Sequence, residues 1–270
     1  MKIRAGFALG YDCPQPTPML LTLRVHPSRQ PDLLTSDGLT FDPPVDARDY
    51  SDSFGNICTR LVAPAGVITI SSDFEIVDSG APDEIPEGAK QHSIMELPDD
   101  VLLFLLGSRY CDTDRLADIA GKLFNDTEPG WPRVQAILTY VHERIRFDYM
   151  KADAWRTAYG GYSEQVGVCR DFAHLAITLC RCMNIPARYC TGFLGDIGVP
   201  PDGEPMDFSA WFEVYLGNRW YTVDARHNKP RVGRILMARG RDATDVALAT
   251  IFGPALIDRF DVITDEMVTA

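Results

Sequence analysis

The hydrophobic residues of this chain change their spacing near residue 98, and no single kind of layer accommodates both patterns. Before that point apolar positions favour a period of two, as in Met19-Leu20-Leu21-Thr22-Leu23-Arg24-Val25 and Gly66-Val67-Ile68-Thr69-Ile70. Beyond it they recur at helical spacing: Val134, Ile137, Leu138, Val141 and Ile145 share one face. A period of two builds strands and a period near 3.6 builds helices. Turn clusters divide the first region, among them Thr35-Ser36-Asp37-Gly38, Phe41-Asp42-Pro43-Pro44 and a hairpin turn at Gly55-Asn56. Short strands separated in this way predict an antiparallel β-sandwich over residues 1–95. Residues 79–98 carry Pro82, Pro86 and Pro98 and read as the linker into a second domain, 96–270.

Charge narrows the set of partners. The net charge is −12, with 16 acidic and 7 basic residues in the first hundred. Such a chain repels phosphate backbones, so nucleic acid is not an expected partner. No apolar run approaches the ~18 residues of a membrane span. The start, Met1-Lys2-Ile3-Arg4, breaks at Gly6 and Gly10 rather than entering an apolar segment, so no signal peptide is predicted. The seven cysteines lack a regular spacing and read as thiols of a cytoplasmic protein.

In the second domain, Val101–Leu106 predicts a short buried helix, and Asp112-Thr113-Asp114 opens another. Trp131–Ile145 and Arg170–Met183 are the long helices. Three strands are predicted next, Ala187–Leu194, Ser209–Leu216 and Arg219–Asp224. Gly217-Asn218 joins the last two as a two-residue hairpin turn. Helices followed by an antiparallel sheet make this domain α+β.

Gly167-Val168-Cys169-Arg170-Asp171-Phe172-Ala173 places a cysteine at the first turn of a long helix. The helix dipole there favours thiolate, the nucleophile of acyl transfer, and the first backbone N–H groups can hold an oxyanion. Cys58, Cys111, Cys180, Cys182 and Cys190 are read as core thiols, since buried free cysteine is common. Cys180, Cys182 and Cys190 have no nearby histidine and make a poor metal set.

These residues belong to a longer pattern. Gly167–Leu175 is followed by Ile185-Pro186-Ala187-Arg188-Tyr189-Cys190-Thr191-Gly192-Phe193. Ala210-Trp211-Phe212-Glu213-Val214-Tyr215 and Trp220-Tyr221-Thr222-Val223-Asp224 complete it. In order, spacing and residue type the pattern resembles the transglutaminase-like proteins of the papain-type cysteine peptidase clan, over roughly residues 110–240. Arg109–Asp114 and Gly240–Asp245 resemble the bacterial branch, which usually carries an N-terminal β-domain. The fold implied is a β-sandwich followed by a papain-like α+β core.

The resemblance implies a Cys-His-Asp triad in which the cysteine is Cys169 and the aspartate Asp224. The family histidine sits immediately before Ala-Trp, and here that position is Ser209. A hydroxyl cannot take the thiol proton near neutral pH, and general acid–base help is worth ~10²–10⁴-fold. Two readings follow. One is a cysteine acyl-transfer enzyme acting on a peptide or protein amide by hydrolysis or transamidation. The other is a degenerate homologue that binds a peptide or protein in the same cleft. Neither needs a cofactor, and no calcium-ligand loop is visible.

The hairpin sets Leu216 opposite Arg219, which puts Ser209 and Asp224 on one sheet face as diagonal neighbours within reach of a polar contact. His227 would point to the opposite face if the strand ran straight, giving it a surface or packing role. A bend after Ala225 could return it to the cleft as a surrogate base. His174 lies about 500° around the helix from Cys169 and faces away from it. Asp171 reads as a helix N-terminal acid and Arg170 as a solvated arginine. Trp211 and Trp220 are expected in the sheet core, with Trp155 and Tyr162 near the cleft. Arg239-Gly240-Arg241-Asp242 could bind an anion or pair internally, and internal pairing is the expectation.

Overall fold

Alternating burial marks the first strands of the computed structural model, which describes residues 1–200, 203 and 206–267. The strands are β1 (Lys2–Cys13), β2 (Thr17–Leu21), β3 (Thr40–Asp42), β4 (Ala47–Ser51), β5 (Ile57–Ala63) and β6 (Gly66–Val77). They fall into two sheets, as the period-two pattern predicts. β6 pairs antiparallel with β1 along the length of both, from Lys2 opposite Val77 to Cys13 opposite Gly66. β5 lies between β2 and β4 in the other sheet. The β4–β5 hairpin turns through Asp52–Asn56, with Gly55 in the left-handed region.

The helical region begins with α1 (Asp99–Leu102), α2 (Thr113–Phe124) and α3 (Trp131–Arg144). The run predicted as one helix over 101–106 is split, because Leu103–Leu105 tightens into a 3₁₀ turn. Two-residue strands β7 (Arg146–Phe147) and β8 (Val166–Gly167) pair in parallel around α4 (Ala158–Glu164). Next comes α5 (Cys169–Cys182), one residue earlier than the spacing suggests. β9 (Ala187–Phe193), β10 (Ser209–Leu216), β11 (Arg219–Val223) and β12 (Ile235–Gly240) form an antiparallel sheet in the order β11-β10-β9-β12. Gly217 and Asn218 both have positive φ, 54° and 69°, the type I′ geometry that suits a two-residue hairpin.

β13 (Ala249–Ile251) and β14 (Leu256–Glu266) return to the N-terminal sheets: β13 pairs with β2, and β14 with β1. The split at 95/96 drawn from periodicity therefore leaves two sandwich strands on the far side of the boundary. The reason is an edge. β6 covers only one side of β1, and the exposed backbone donors and acceptors on its other side are paired by β14.

The second sheet lies between two cores. Ala210, Phe212 and Val214 of β10 pack with Leu175, Ala176 and Leu179 of α5, while α2 and α3 close the far side. Phe193, Ile197, Phe208, Ile235 and Met237 instead join Phe7, Phe74 and Ile76 of the sandwich. Trp211 is buried on this sandwich-facing side of the sheet with Cys190 and Leu236, and Trp220 packs edge-on against Phe104.

Candidate functional site

Cys169 is the first residue of α5, so its backbone N–H has no partner within the helix. The approach to it is fixed by Asp171, which is 1% exposed. Its Oδ2 accepts from Val168 N–H at 2.8 Å and from Arg156 Nη1 at 3.2 Å. Arg156 also pairs with Glu164 at the end of α4. Gly167 makes room for this carboxylate: a Cβ there would lie 2.4 Å from Asp171 Oδ2. Asp171 is thus the predicted helix-start acid, and it holds the loop that leads to Cys169. Arg170, read as solvated, is half-buried and donates to the carbonyl of Asp153.

The thiol itself differs from the reading drawn from the helix dipole. Burial pushes Cys169 up to about 11. The Arg226 charge and a hydrogen bond from Ala210 N–H act against that shift, while Asp207 and Asp224 reinforce it. A dipole interaction of ~0.3–1 kcal/mol does not offset such desolvation. Cys169 by itself is a protonated thiol at neutral pH.

β11 stops at Val223, and the next residues curl into a turn closed by Asn228 N–H donating to the Asp224 carbonyl at 2.9 Å. Asp224 organises the turn with its own side chain, Oδ1 accepting from the N–H groups of Arg226 (2.9 Å) and His227 (3.1 Å). The bend brings the imidazole back, so that His227 Nδ1 lies 2.8 Å from Asp224 Oδ2. The straight-strand parity that assigned His227 to a surface or packing position does not apply, because the strand has already ended. The same carboxylate oxygen accepts from Arg234 Nη2 at 2.9 Å, and Arg234 is held in turn by Asp83 of the linker. Burial would raise the Asp224 carboxyl, but Arg234 and His227 outweigh it and hold Asp224 well below the usual carboxylate range.

His142, to which the sequence reading gave no role, completes this arrangement. Its Nδ1 is 2.9 Å from the Arg226 carbonyl and 3.2 Å from that of Ala225, so α3 pins the turn that presents His227. Nothing in the spacing of His142 separates it from a helix-face histidine; only the fold brings residues 142 and 225 together.

Ser209 begins β10 opposite Gly192 and is 5% exposed. Its Oγ has no hydrogen-bond partner among the described residues, so the predicted contact with Asp224 does not form. Both oxygens of Asp224 are already occupied. Ser209 and Asp207 line two adjoining cavities. One is a cleft of about 830 Å³ that also contains Cys169, Arg109, Tyr110 and Trp155. The other is a smaller recess containing His227 and Arg226. Asp207 faces Arg226, and burial raises its carboxyl.

Trp155 stands 76% exposed at the cleft with Arg109 over its ring, as the sequence suggests. Tyr162 does not join it, packing under Arg144 instead. His174 faces away from the thiol, fully buried and stacked on Tyr110 at 5.0 Å. Its Nε2 accepts from Ala243 N–H, and burial holds it down to about 3. Arg241 pairs with Asp245, the internal pairing expected of that segment, whereas Arg239 does not share it. Among the described residues no three His, Cys, Asp or Glu side chains are grouped to hold a metal. No described helix is long and apolar enough to cross a membrane.

Residues 117–225 match the transglutaminase-like superfamily. A Mycobacterium leprae protein of uncharacterised function is 36% identical over 141 residues, a stretch that spans about half of each chain. A Mycobacterium tuberculosis protein, also uncharacterised, is 28% identical over 238 residues, 77% of this chain and 73% of that one. Among solved structures, a candidate cysteine protease from Cytophaga hutchinsonii superposes with a TM-score of 0.86 at 29% identity, covering 100% of this chain and 92% of that one. The helix-start cysteine, the β10–β11 hairpin and the aspartate at its end all fall within residues 117–225, the segment that is similar to the transglutaminase-like superfamily.

Proposed function

We propose that this protein is a cysteine acyl-transfer enzyme in which Cys169 is the nucleophile, His227 the base and Asp224 the residue that orients the base. The observation that carries this reading is the 2.8 Å contact between His227 Nδ1 and a buried, ionised Asp224, in a recess that adjoins the cleft of Cys169. A proton on Nδ1 facing the carboxylate leaves Nε2 as the acceptor.

In the proposed reaction, Nε2 takes the thiol proton as sulfur attacks an amide carbonyl carbon. This formation of an ion pair is what a thiol raised by burial requires, because the imidazolium supplies the compensating charge. The Cys169 N–H, free of any intrahelical acceptor, receives the developing oxyanion. Collapse of the tetrahedral intermediate breaks the C–N bond, and His227 protonates the departing amine. Water or a second amine then takes the acyl group from sulfur, giving hydrolysis or transamidation. Ser209 has no proton-transfer part in this scheme.

The second reading, a peptide-binding homologue without catalysis, draws support from Ser209 at the family's histidine position and from the raised thiol. The two are separated by measuring amide hydrolysis and the pH profile of Cys169 alkylation by iodoacetamide. If His227 is the base, His227→Ala lowers kcat/KM by ~10²–10⁴-fold and moves the alkylation profile to higher pH. A His227→Ala profile that overlays the wild type removes His227 from the mechanism and leaves the binding reading.

A further inference from the structure

On the sandwich-facing side of the β9–β12 sheet, away from α5, lies a polar cavity of about 270 Å³. Trp211 and Glu213 reach it because they alternate along β10 with Phe212 and Val214, which face the helix. Four arginines line it: Arg29, Arg231, Arg234 and Arg239. The carboxylates among them are already engaged. Asp78 pairs with Arg29 at 3.2 Å, Asp83 with Arg234 at 2.9 Å, and Glu213 with Arg188. Arg239 has no carboxylate within 4.0 Å among the described residues, and its side chain reaches Ser28 Oγ at 3.5 Å.

Three guanidinium nitrogens of the lining arginines are buried and have no acceptor among the described residues: Arg231 Nε, Arg234 Nη1 and Arg239 Nε. Arg231 and Arg234 are only 5% and 8% exposed. A guanidinium cannot shed its proton to escape this cost, and a buried donor without an acceptor loses the hydration it had in water. Water would satisfy a donor without neutralising the charge. Beside Ser28, burial first and then the charges of Arg239 and Arg188 hold His26 down to about 4. The arginines also approach from separate elements, Arg29 from the turn Pro27–Asp32, Arg234 from the loop before β12 and Arg239 from β12 itself. Donors converging from several directions suit a tetrahedral dianion better than a planar carboxylate.

We propose that this cavity is a binding site for a phosphate-class oxyanion, held by Arg239, Arg29 and Arg234 with Ser28. The cavity is distinct from the Cys169 cleft, and Arg234 links the two, donating to Asp224 through Nη2 and to Asp83 through Nε.

The test is calorimetric titration of the full chain with inorganic phosphate at constant ionic strength, alongside thermal unfolding in the same buffers. Saturable binding is expected, with a rise in unfolding temperature that matched sodium chloride does not reproduce. Arg239→Gln should weaken the affinity roughly tenfold to a hundredfold, the loss of a charge-assisted contact. Arg241→Gln, whose guanidinium belongs to Asp245, should leave it unchanged. Unchanged phosphate affinity in Arg239→Gln, or an equal response to chloride, overturns the proposal. Should that variant not fold, Ser28→Ala at an exposed turn serves instead, with several-fold weaker binding expected and unchanged affinity counting against the site. A parallel titration with glycerol 3-phosphate separates the two sources of this chemistry: tighter binding than phosphate assigns the site to a phosphomonoester, weaker binding to the free ion.

Discussion

Gly167 shows how closely the loop before Cys169 is built around one carboxylate. A methyl group there would meet Asp171 Oδ2, Cβ and Cγ at 2.4, 2.6 and 2.8 Å. Asp171 cannot retreat without leaving Val168 N–H and the Arg156 guanidinium, both its partners in a buried site. Gly167→Ala is therefore expected to destabilise the fold by about 2–4 kcal/mol, read as a fall in the urea midpoint without a change in slope. Of the residues concerned, Cys169 and Asp171 were legible in the sequence, because a helix start constrains both by position. The protonation state of Cys169 was not. The dipole is a property of the helix and can be read from sequence, but desolvation depends on what covers the thiol. That cover includes Ala210 and the side chains of Asp207 and Arg226, which are 38 or more residues away.

The turn after β11 carries the proposed base, and its stability is shared with α3. His142 contributes from the outside and Asp224 from within. Replacing His142 with alanine removes the contact to two carbonyls but leaves the Asp224–His227 pair itself in place. Such a positioning residue should affect turnover more than binding. His142→Ala is expected to lower kcat by about tenfold with KM little changed, and to speed amide exchange at Arg226 and His227; equal exchange in both proteins would show that the turn holds without it. The β10–β11 hairpin was readable to the residue, because Gly217-Asn218 admits one turn type and that turn fixes the register. The continuation past Val223 was not. Parity arguments hold only while the strand lasts, and the end of β11 is set by the Asp224 side chain capturing its own backbone. Ser209 shows the same limit from the other direction: the register put it on the correct face, yet His227 and Arg234 reached Asp224 first.

The chain closes on itself through β14, a strand whose alternation is masked by charge in Leu256-Ile257-Asp258-Arg259-Phe260-Asp261. Its partner β1 lies 250 residues earlier, a pairing that local periodicity cannot reveal. One consequence of this closed architecture is that histidines at both ends of the fold sit in dry surroundings. His26, 7% exposed, abuts β12, and His174, fully buried, lies beneath the turn at Ala243. Burial holds them at about 4 and about 3, against about 6.5 in the unfolded chain. A base depressed on folding is neutral in the native state, while the unfolded chain takes up protons once the pH drops below 6.5. Stability from these two groups is complete above pH 6.5 and is lost as the pH falls toward 4 and 3. At pH 5 the loss is about 2 kcal/mol for each histidine, from 1.36 kcal/mol per unit over one and a half units. Asp224 contributes at lower pH, its share present above the ordinary carboxylate range and lost only in stronger acid. Urea unfolding should therefore weaken between pH 7 and 5, before carboxylates titrate, by about 4 kcal/mol. A His174→Gln variant, whatever its stability at pH 7, should show about half that dependence. A wild-type unfolding free energy that stays level from pH 7 to 5 would mean that these imidazoles do not titrate differently in the folded and unfolded states.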